Sequence, residues 1–421
     1  MFKFIHCADV HLDSPLQGLE RYEGAPVNEI RLATRRALEN LVTLAQAEKV
    51  SFVLIAGDLF DGTWKDYNTG LFFVRQMARL KDAGIRVVLV AGNHDADNKM
   101  TRTLRWPDNV KVMSSRQPES HTLSGLDVVV HGQSFATAAV AEDLTPSYPL
   151  AVPGMFNIGL LHTAVTGREG HAPYAPCTLT GLRAKNYQYW ALGHVHNREV
   201  LSDDPPIVFP GNIQGRHIRE TGARGCILVT VDDRRSVSMQ FEPLDVFRWE
   251  KCQVDASGSA TRNDLIERFA QQALAALRAS ETRPLAMRVE FSGTTTLDAA
   301  FKENLSQWTN EVRAAAIEFG AGQIWVEKVK FHTTSPGNAI AVDHLQGPLG
   351  ELSGLIREVK DDLSALEELA GELSDLRGKL PPEVKDGGEG LHLDSPEFVA
   401  SLLDDVESLL VGRLVVGGHK Q

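Results

Sequence analysis

Residues 51–61 read Ser-Phe-Val-Leu-Ile-Ala-Gly-Asp-Leu-Phe-Asp, an apolar run that ends in two carboxylates. The apolar, partly β-branched part of this stretch is typical of a buried strand. Gly57 and Asp58 follow it directly, so the sequence places a short polar side chain at the end of a strand. Because a sheet can aim several such side chains at one point, strand ends are where we expect a site.

The same kind of run recurs on both sides of this stretch and predicts a layered fold. Six runs read as strands, at residues 2–8, 51–56, 85–91, 126–131, 156–161 and 187–192. Helical patterns at about 26–48 and 67–83 separate the first three runs. Strands and helices that alternate at this spacing indicate a mainly parallel sheet. After residue 105 the connections shorten, so we expect a second, more antiparallel sheet and an α/β sandwich of the two.

The rest of the chain predicts a smaller domain and a tail. Strand and helix patterns alternate over 246–332, which indicates a small α+β capping domain after a first domain at 1–245. Residues 333–346 contain Ser335-Pro336-Gly337 and are typical of a linker. Over 347–421 the pattern indicates an acidic helical tail. Leucines spaced by three and four predict one amphipathic helix of about eight turns, and a second apolar stripe spans 399–410. These stripes either bind a partner or pack on their own chain.

The charge balance does not decide whether the protein binds a nucleic acid. The formal net charge is −12, but residues 341–421 hold 17 acidic and 7 basic residues, whereas residues 1–340 hold 38 and 36. The acidity therefore belongs to the tail, which is poorly suited to bind DNA, while the body needs only a local basic groove. Four scattered cysteines without a C-x-x-C pair suit a reducing compartment. The sequence shows no signal peptide and no run of about 20 apolar residues, so we expect a cytoplasmic protein without membrane association.

Five segments carry side chains of the types that commonly bind metals. They are Asp9-Val10-His11, Gly57-Asp58-Leu59-Phe60-Asp61, Gly92-Asn93-His94-Asp95, Leu161-His162-Thr163 and Gly193-His194-Val195-His196. Each segment alone is a weak signal, since Gly-Asp is ordinary turn chemistry and a single histidine more often packs in a core. Together, four of the five directly follow an apolar run, and side chains at i and i+2 of an extended chain point the same way. Carboxylate, imidazole and amide groups suit divalent cations such as manganese, zinc or iron, and two such ions form a clamp for in-line displacement at phosphorus.

The order of these segments resembles the signature of the calcineurin-like metallophosphoesterases, over roughly residues 1–240. Within that superfamily, three stretches are similar to YhaO-type members of the SbcD-like nuclease family: His11-Leu12-Asp13-Ser14-Pro15-Leu16, Gly57-Asp58-Leu59-Phe60-Asp61 and Phe209-Pro210-Gly211-Asn212-Ile213-Gln214-Gly215-Arg216. The resemblance implies a metallophosphoesterase-type αββα sandwich. It also implies a metal-dependent phosphodiesterase, a DNA exonuclease or endonuclease in DNA repair. The alternative is a phosphodiesterase or phosphatase that acts on nucleotides or other small phosphate esters.

The resemblance also implies which residues hold two ions, with manganese favoured over zinc or iron. The first ion would have Asp9, His11 and His196, the second Asn93, His162 and His194, and Asp58 would bridge them. His94 cannot readily share a metal with the adjacent Asn93. We therefore assign His94 to stabilising the transition state and protonating the leaving oxygen.

Three further residues are candidates for supporting this site or contacting substrate. Asp61 stands where some nucleases of the family carry a second active-site histidine, and we expect it to orient a ligand histidine. Asp95 either orients His94 or caps the following helix. Arg216, like the adjacent His217, either contacts substrate phosphate or belongs to an ordinary surface loop.

The implied partners are DNA as substrate and an SbcC-like, SMC-like coiled-coil ATPase that binds the tail. The resemblance to SbcD-like proteins also implies that the protein can form a homodimer. A scaffold with a structural or degenerate metal site is the non-enzymatic alternative. It is disfavoured because no ligand position is substituted.

Overall fold

The first layer of the fold is a six-stranded sheet. The computed structural model describes residues 1–14, 32–61, 67–96, 104–165, 174–281, 283–336, 348–379, 393, 395–403 and 406–407. The strands of this sheet are β1 (Phe2–Cys7), β2 (Phe52–Ala56), β3 (Arg86–Val90), β4 (Val110–Val112), β11 (Gly225–Val231) and β12 (Val237–Pro243). Their order is β12-β11-β1-β2-β3-β4. Strands β1 to β4 run parallel, while β11 pairs antiparallel with both β1 and β12.

The second layer is another six-stranded sheet, and it is mainly parallel. Its strands are β5 (Glu119–Leu123), β6 (Val128–Gly132), β7 (Phe156–His162), β8 (Tyr189–Gly193), β9 (Glu199–Asp203) and β10 (Pro206–Phe209), in the order β5-β6-β7-β8-β10-β9. The expectation of a more antiparallel sheet is wrong, because only β5 and β9 at the edges pair antiparallel. The connections at 133–155 and 163–188 are long enough to cross over and return in the same direction.

The two sheets pack face to face and carry helices on their outer faces. These helices are α1 (Ala33–Ala47), α2 (Asn68–Asp82) and α4 (Leu179–Arg183), while the short helix α3 (Asn93–Ala96) follows the end of β3. Phe4 and Phe52 of the first sheet pack against Phe156 and Tyr189 of the second in a buried layer. Apolar side chains of α1 and α2 cover the outer face of the first sheet. The predicted α/β sandwich is therefore confirmed; residues 26–31 of the predicted first helix lie outside the described residues.

A third, three-stranded sheet follows in the chain. Its strands are β13 (Arg248–Asp255), β14 (Leu285–Thr294) and β15 (Ile324–Thr334), in that order, and its helices are α5 (Arg262–Ala279), α6 (Asp298–Glu303) and α7 (Leu305–Phe319). The chain divides into two compact units. Met1–Gln253, Phe269–Glu290 and Asn310–Lys330 form the first; Val254–Arg268, Phe291–Thr309 and Phe331–Gln421 form the second. The predicted domain boundaries after residues 245 and 332 stay a prediction.

Over the described residues 348–379, the tail contains three helices where the sequence predicts one. They are α8 (Pro348–Asp361), α9 (Leu363–Glu372) and α10 (Ser374–Lys379). Asp362 has extended backbone angles, and its side chain accepts hydrogen bonds from the backbone N–H groups of Ser364 and Ala365, so it starts a new helix. A further helix spans 396–403, and its Val399 packs on α9.

Parts of the predicted linker and tail lie outside the described residues. These are 337–347, 380–392 and everything beyond 407. Among the residues that are described, no helix has the length and apolar character needed to cross a membrane.

Candidate metal centre

The strand ends of both sheets bring the predicted ligands to one place. Asp9 and His11 follow β1, Asp58 follows β2, and Asn93 follows β3; these three strands are parallel neighbours. His162 ends β7, and His194 and His196 follow the parallel strand β8. A hydrogen bond between His162 Nδ1 and the Ala56 carbonyl, at 2.9 Å, joins the two sets across the sandwich.

The backbone of these loops is held in a conformation that residues other than glycine rarely adopt. The φ angles of Asp9, His11 and Asp58 are 50°, 43° and 50°. Backbone hydrogen bonds fix this geometry, from Asp9 N to Gly57 O at 3.1 Å and from His11 N to Asp58 O at 3.0 Å. Such strain persists only where surrounding structure enforces it, and it is concentrated at functional sites.

A glycine lets the β3 loop approach the central carboxylate. A Cβ atom on Gly92 would lie 2.2 Å from Asp58 Oδ1 and 2.9 Å from the His162 ring. No larger residue fits there without moving Asp58, so the geometry of the site requires a glycine at position 92.

Asp9, His11 and His196 form one group of potential ligands. Their ligand atoms lie within 4.8 Å of one another, and His11 Nε2 is 3.2 Å from His196 Nε2. His196 Nδ1 is 2.7 Å from Glu220 Oε1. Since the Nδ1–H donates to that carboxylate, the Nε2 lone pair is left to face the group.

Asp58, His162 and Asn93 form a second cluster, and one oxygen of Asp58 also lies near His11 of the first group. His162 Nε2 is 3.0 Å from Asn93 Oδ1 and 3.5 Å from Asp58 Oδ2. The same Asp58 oxygen is 3.8 Å from His11 Nε2. Asp58 therefore stands between the two clusters, where a bridging carboxylate would be.

His194 lies at the edge of this second cluster. Its ring packs edge-on against the rings of His162 and Tyr174, at centroid distances of 5.2 and 5.4 Å. Its backbone N–H donates to both oxygens of Asp9, at 3.0 and 3.1 Å. The structure thus brings all seven predicted ligands together, although His194 is outside the tightest ligand groups of the described residues.

The electrostatics of the site fit divalent cations. Burial raises the pKa of Asp58 to about 6, although nearby His94 opposes the shift. Burial likewise raises the pKa of Asp9 and lowers the pKa values of His11 and His162. His11 Nδ1 is buried with no hydrogen-bond partner among the described residues. Buried carboxylates beside neutral imidazoles lack positive charge, which bound cations would supply.

His94 and Asp61 form a hydrogen-bonded pair at the edge of this centre. His94 Nδ1 lies 2.8 Å from Asp61 Oδ1, and Ser14 Oγ donates to Asp61 Oδ2 at 2.6 Å. The hydrogen bond to Asp61 raises the pKa of His94. Burial alone would raise the pKa of Asp61, but the hydrogen bonds from His94 and Ser14 outweigh it and lower that pKa to about 2. Asp61 thus holds His94; it lies 3.8 Å from the predicted ligand His11, beyond hydrogen-bond distance.

Asp95 accepts a hydrogen bond at the start of α3, as a helix cap would, and it also binds the loop after β2. Its carboxylate accepts hydrogen bonds from the backbone N–H groups of Leu59, Phe60 and Gly92, at 3.1, 2.9 and 3.0 Å. It therefore ties the loop after β2 to the loop after β3. Asp95 stabilises the backbone that carries Asp58 and Asn93.

Arg216 is held inside the site by carboxylates. Its guanidinium is 3.5 Å from Asp61 and 3.5 Å from Glu220, and its side chain is only 14% exposed. These contacts hold the guanidinium against two carboxylates at the edge of the centre. The structure thus gives Arg216 a supporting position.

Glu220 is a site residue that the sequence did not reveal. Besides His196, it accepts hydrogen bonds from Asn212 Nδ2 at 2.8 Å and from Arg216 N at 2.7 Å. Burial would raise its pKa, but the hydrogen bond from His196 and the charge of Arg216 lower it. The family-like stretch that ends at Arg216 indicated this loop. A single glutamate four residues later, however, matches no sequence motif.

An open cleft of about 540 Å³ gives access to the centre. Its lining includes Asp58, Asn93, His94, Tyr174, His194, His196, His217, Arg219 and Glu220. Ligand candidates and His94 thus share one solvent-accessible space, as a hydrolytic site needs.

Family models match two parts of this chain. A model described as "Calcineurin-like phosphoesterase" matches residues 2–198. A second, described as "Metallophosphoesterase YhaO, middle domain", matches residues 249–334.

Similar proteins span most of the chain. The "Uncharacterized metallophosphoesterase YhaO" of Bacillus subtilis (strain 168) is 35% identical over 295 residues, which are 69% of this chain and 72% of that protein. The "DNA double-strand break repair protein Mre11" of Methanopyrus kandleri is 25% identical over 441 residues, covering 98% of this chain and 86% of that protein. Among solved structures, a dimetal phosphatase from Danio rerio aligns with 58% of this chain and 96% of its own, at 12% identity and a TM-score of 0.37.

Proposed function

The chain belongs to the calcineurin-like metallophosphoesterase family, within which it matches YhaO, and from this we propose that it is a two-metal phosphodiesterase that cleaves DNA during repair. One observation carries the proposal. Asp58 belongs to two groups of potential ligands, one with Asp9 and His162 and one with His11 and His94, and His94 lines an open cleft. The family and the donor set support a metal-dependent phosphoesterase; DNA as the substrate is our inference.

The residues proposed to hold the metals are those that the family resemblance implies, and their proximity supports the proposal. Asp9, His11 and His196 would bind one ion, Asn93, His162 and His194 the other, and Asp58 both. Oxygen and imidazole donors together suit manganese, and also zinc or iron. When bound, such a pair supplies Lewis acidity and lowers the pKa of water toward neutrality.

His94 is the residue proposed to act on the substrate. Its Nδ1–H donates to Asp61, so Nε2 is the atom left to contact the reacting phosphate. Asp61 favours the imidazolium form, which can donate a proton to the leaving oxygen as the ester bond breaks. Asp61 and Ser14 hold the ring in place, so little reorganisation is needed during the reaction.

DNA is the proposed substrate because the relative that spans nearly the whole chain is a DNA double-strand break repair protein. The experiment compares linear duplex and single-stranded DNA with bis(p-nitrophenyl) phosphate, with manganese present. Cleavage of the small ester but of no DNA would reject DNA and favour small phosphate esters.

His94→Ala tests the proposed chemistry. We expect hydrolysis to fall by about 10²- to 10⁴-fold, because a positioned acid is lost. The metal content, measured by mass spectrometry after desalting, should stay at two ions per chain. His121→Ala, on edge strand β5, is the matched control and should leave both unchanged. Loss of metal together with activity would instead make His94 a ligand.

We propose that the tail docks on the base of an SMC-like coiled-coil ATPase. Three leucines of the described tail helices support this because they are strongly exposed: Leu355, Leu363 and Leu376 at 60%, 61% and 50%. Co-purification with a coiled-coil ATPase encoded next to this chain tests the proposal. The homodimer and the cytoplasmic location stay predictions.

A further inference from the structure

Three arginines of the loop beside the metal centre differ in what they bind. Arg216 lies between Asp61 and Glu220. Arg224 donates to the His196 carbonyl and to Thr221 O, the latter at 2.9 Å. Arg219 lines the cleft, is exposed, and makes no hydrogen bond or ion pair within the described part of the chain. Two of the three thus support the site, while the third directs a positive charge into the space that substrate enters.

The other basic group on this wall is already occupied. His217 Nε2 lies 3.4 Å from Glu220 Oε1, which connects it to the carboxylate that holds His196. Arg219 is therefore the cation of this wall best placed for an incoming anion. A guanidinium offers several N–H groups in a planar fork that matches two oxygens of a phosphate.

The phosphate that reacts does not require Arg219. That phosphate would meet the metal ligands and His94, which line the same cleft. Residues 217 and 219 belong to a different segment, so an anion at Arg219 would be a second group of the same substrate. A nucleic acid strand supplies such a group, because it carries a phosphate about every 3.4 Å along the duplex axis.

We propose that Arg219 forms a second phosphate subsite, which binds the phosphate next to the one that is cleaved. The inference rests on the proposed function and narrows it to substrates with consecutive phosphodiesters. Small esters with a single phosphate reach the metal centre but leave this subsite empty.

Binding without turnover tests the subsite directly. The full chain with His94→Ala and manganese is titrated into a fluorescently labelled single-stranded oligonucleotide, and anisotropy gives Kd at several salt concentrations. Adding Arg219→Gln should weaken binding about tenfold and reduce the log–log salt slope by about 1. Arg219→Lys should recover part of the loss, because it restores the charge without the fork.

Arg234→Gln is the matched control. It removes the same charge from an exposed side chain that does not line the cleft. Its Kd should stay within about twofold and its salt slope unchanged. An Arg219→Gln variant that matches this control in both values would overturn the subsite.

Kinetics in the otherwise unchanged enzyme separate binding from a structural effect. Arg219→Gln should raise KM for the oligonucleotide about tenfold, with kcat changing far less. Its kcat/KM for bis(p-nitrophenyl) phosphate should fall by a clearly smaller factor. Equal losses on both substrates would contradict the subsite, since they would mean damage to the reaction centre.

The two hypotheses fail in different ways. If the unmodified enzyme hydrolyses neither substrate but binds the oligonucleotide through Arg219, the proposed function is wrong and Arg219 is a phosphate contact without a cleaved neighbour. If it cleaves DNA and Arg219→Gln changes nothing, the subsite alone is wrong.

Discussion

At the scale of single residues, Glu220 shows how a side chain acts on the metal centre through another. It fixes the orientation and tautomer of His196 by accepting the Nδ1–H at 2.7 Å. Glu220→Gln keeps the shape but removes the charge, so His196 becomes a less basic ligand. We expect manganese affinity to fall about 10- to 100-fold.

Competition with a chromophoric chelator measures this change. Glu142→Gln is the control, because Glu142 is exposed and lies outside the cleft lining. Unchanged affinity in Glu220→Gln would mean that His196 is held by its backbone alone.

The ligand residues could be found from sequence because each follows its strand directly. Asp58 comes two residues after β2 and His196 three after β8, so local pattern and sheet geometry suffice. The partners of Asp95 could not be found in this way. Its carboxylate binds N–H groups that lie 35 and 36 residues earlier in the chain, and only the packed loops bring them together.

At the scale of elements, strand positions were predictable but the direction of pairing was not. Apolar runs located β1, β2, β3, β7 and β8, since buried strands of a parallel sheet are apolar throughout. An apolar run does not indicate whether the neighbouring strand is parallel or antiparallel to it. In their described parts, the crossover segments 133–155 and 163–188 contain only short helices, so no long helical pattern indicated the parallel order of the second sheet.

The break between α8 and α9 is also an effect that periodicity cannot show. Leucine spacing continues through Asp362, yet its side chain caps the helix that follows. Asp362→Ala should therefore destabilise the tail by about 1 kcal/mol, because a cap is lost. Asp362→Asn keeps an accepting oxygen and should cost much less.

Urea unfolding followed by circular dichroism, or hydrogen exchange at 363–372, compares the two variants. A continuous helix predicts the opposite order, since alanine is the better helix former within a helix. If Asp362→Ala is more stable than Asp362→Asn, the result would therefore support a single continuous helix.

At the scale of the whole molecule, buried charge links stability to metal. Asp9 and Asp58 are buried to 1% exposure, and burial raises the pKa of both. Without cations, their carboxylates repel each other and lack solvation, which costs stability. Each manganese ion, at 100 times its Kd, should raise the free energy of unfolding by about 2.7 kcal/mol, and a chelator should reverse the gain.

Calorimetry of the metal-free and manganese-loaded protein measures this difference, and Asp58→Asn shows its origin. The substitution removes one buried negative charge and keeps the side-chain shape. In metal-free buffer Asp58→Asn should therefore unfold at a higher temperature than the parent, whereas manganese should stabilise it less. A structural carboxylate would behave otherwise: chelation would leave the parent unchanged, and Asp58→Asn would be less stable in either buffer, because the hydrogen bond from His94 N to Asp58 Oδ1 at 3.0 Å would be weakened.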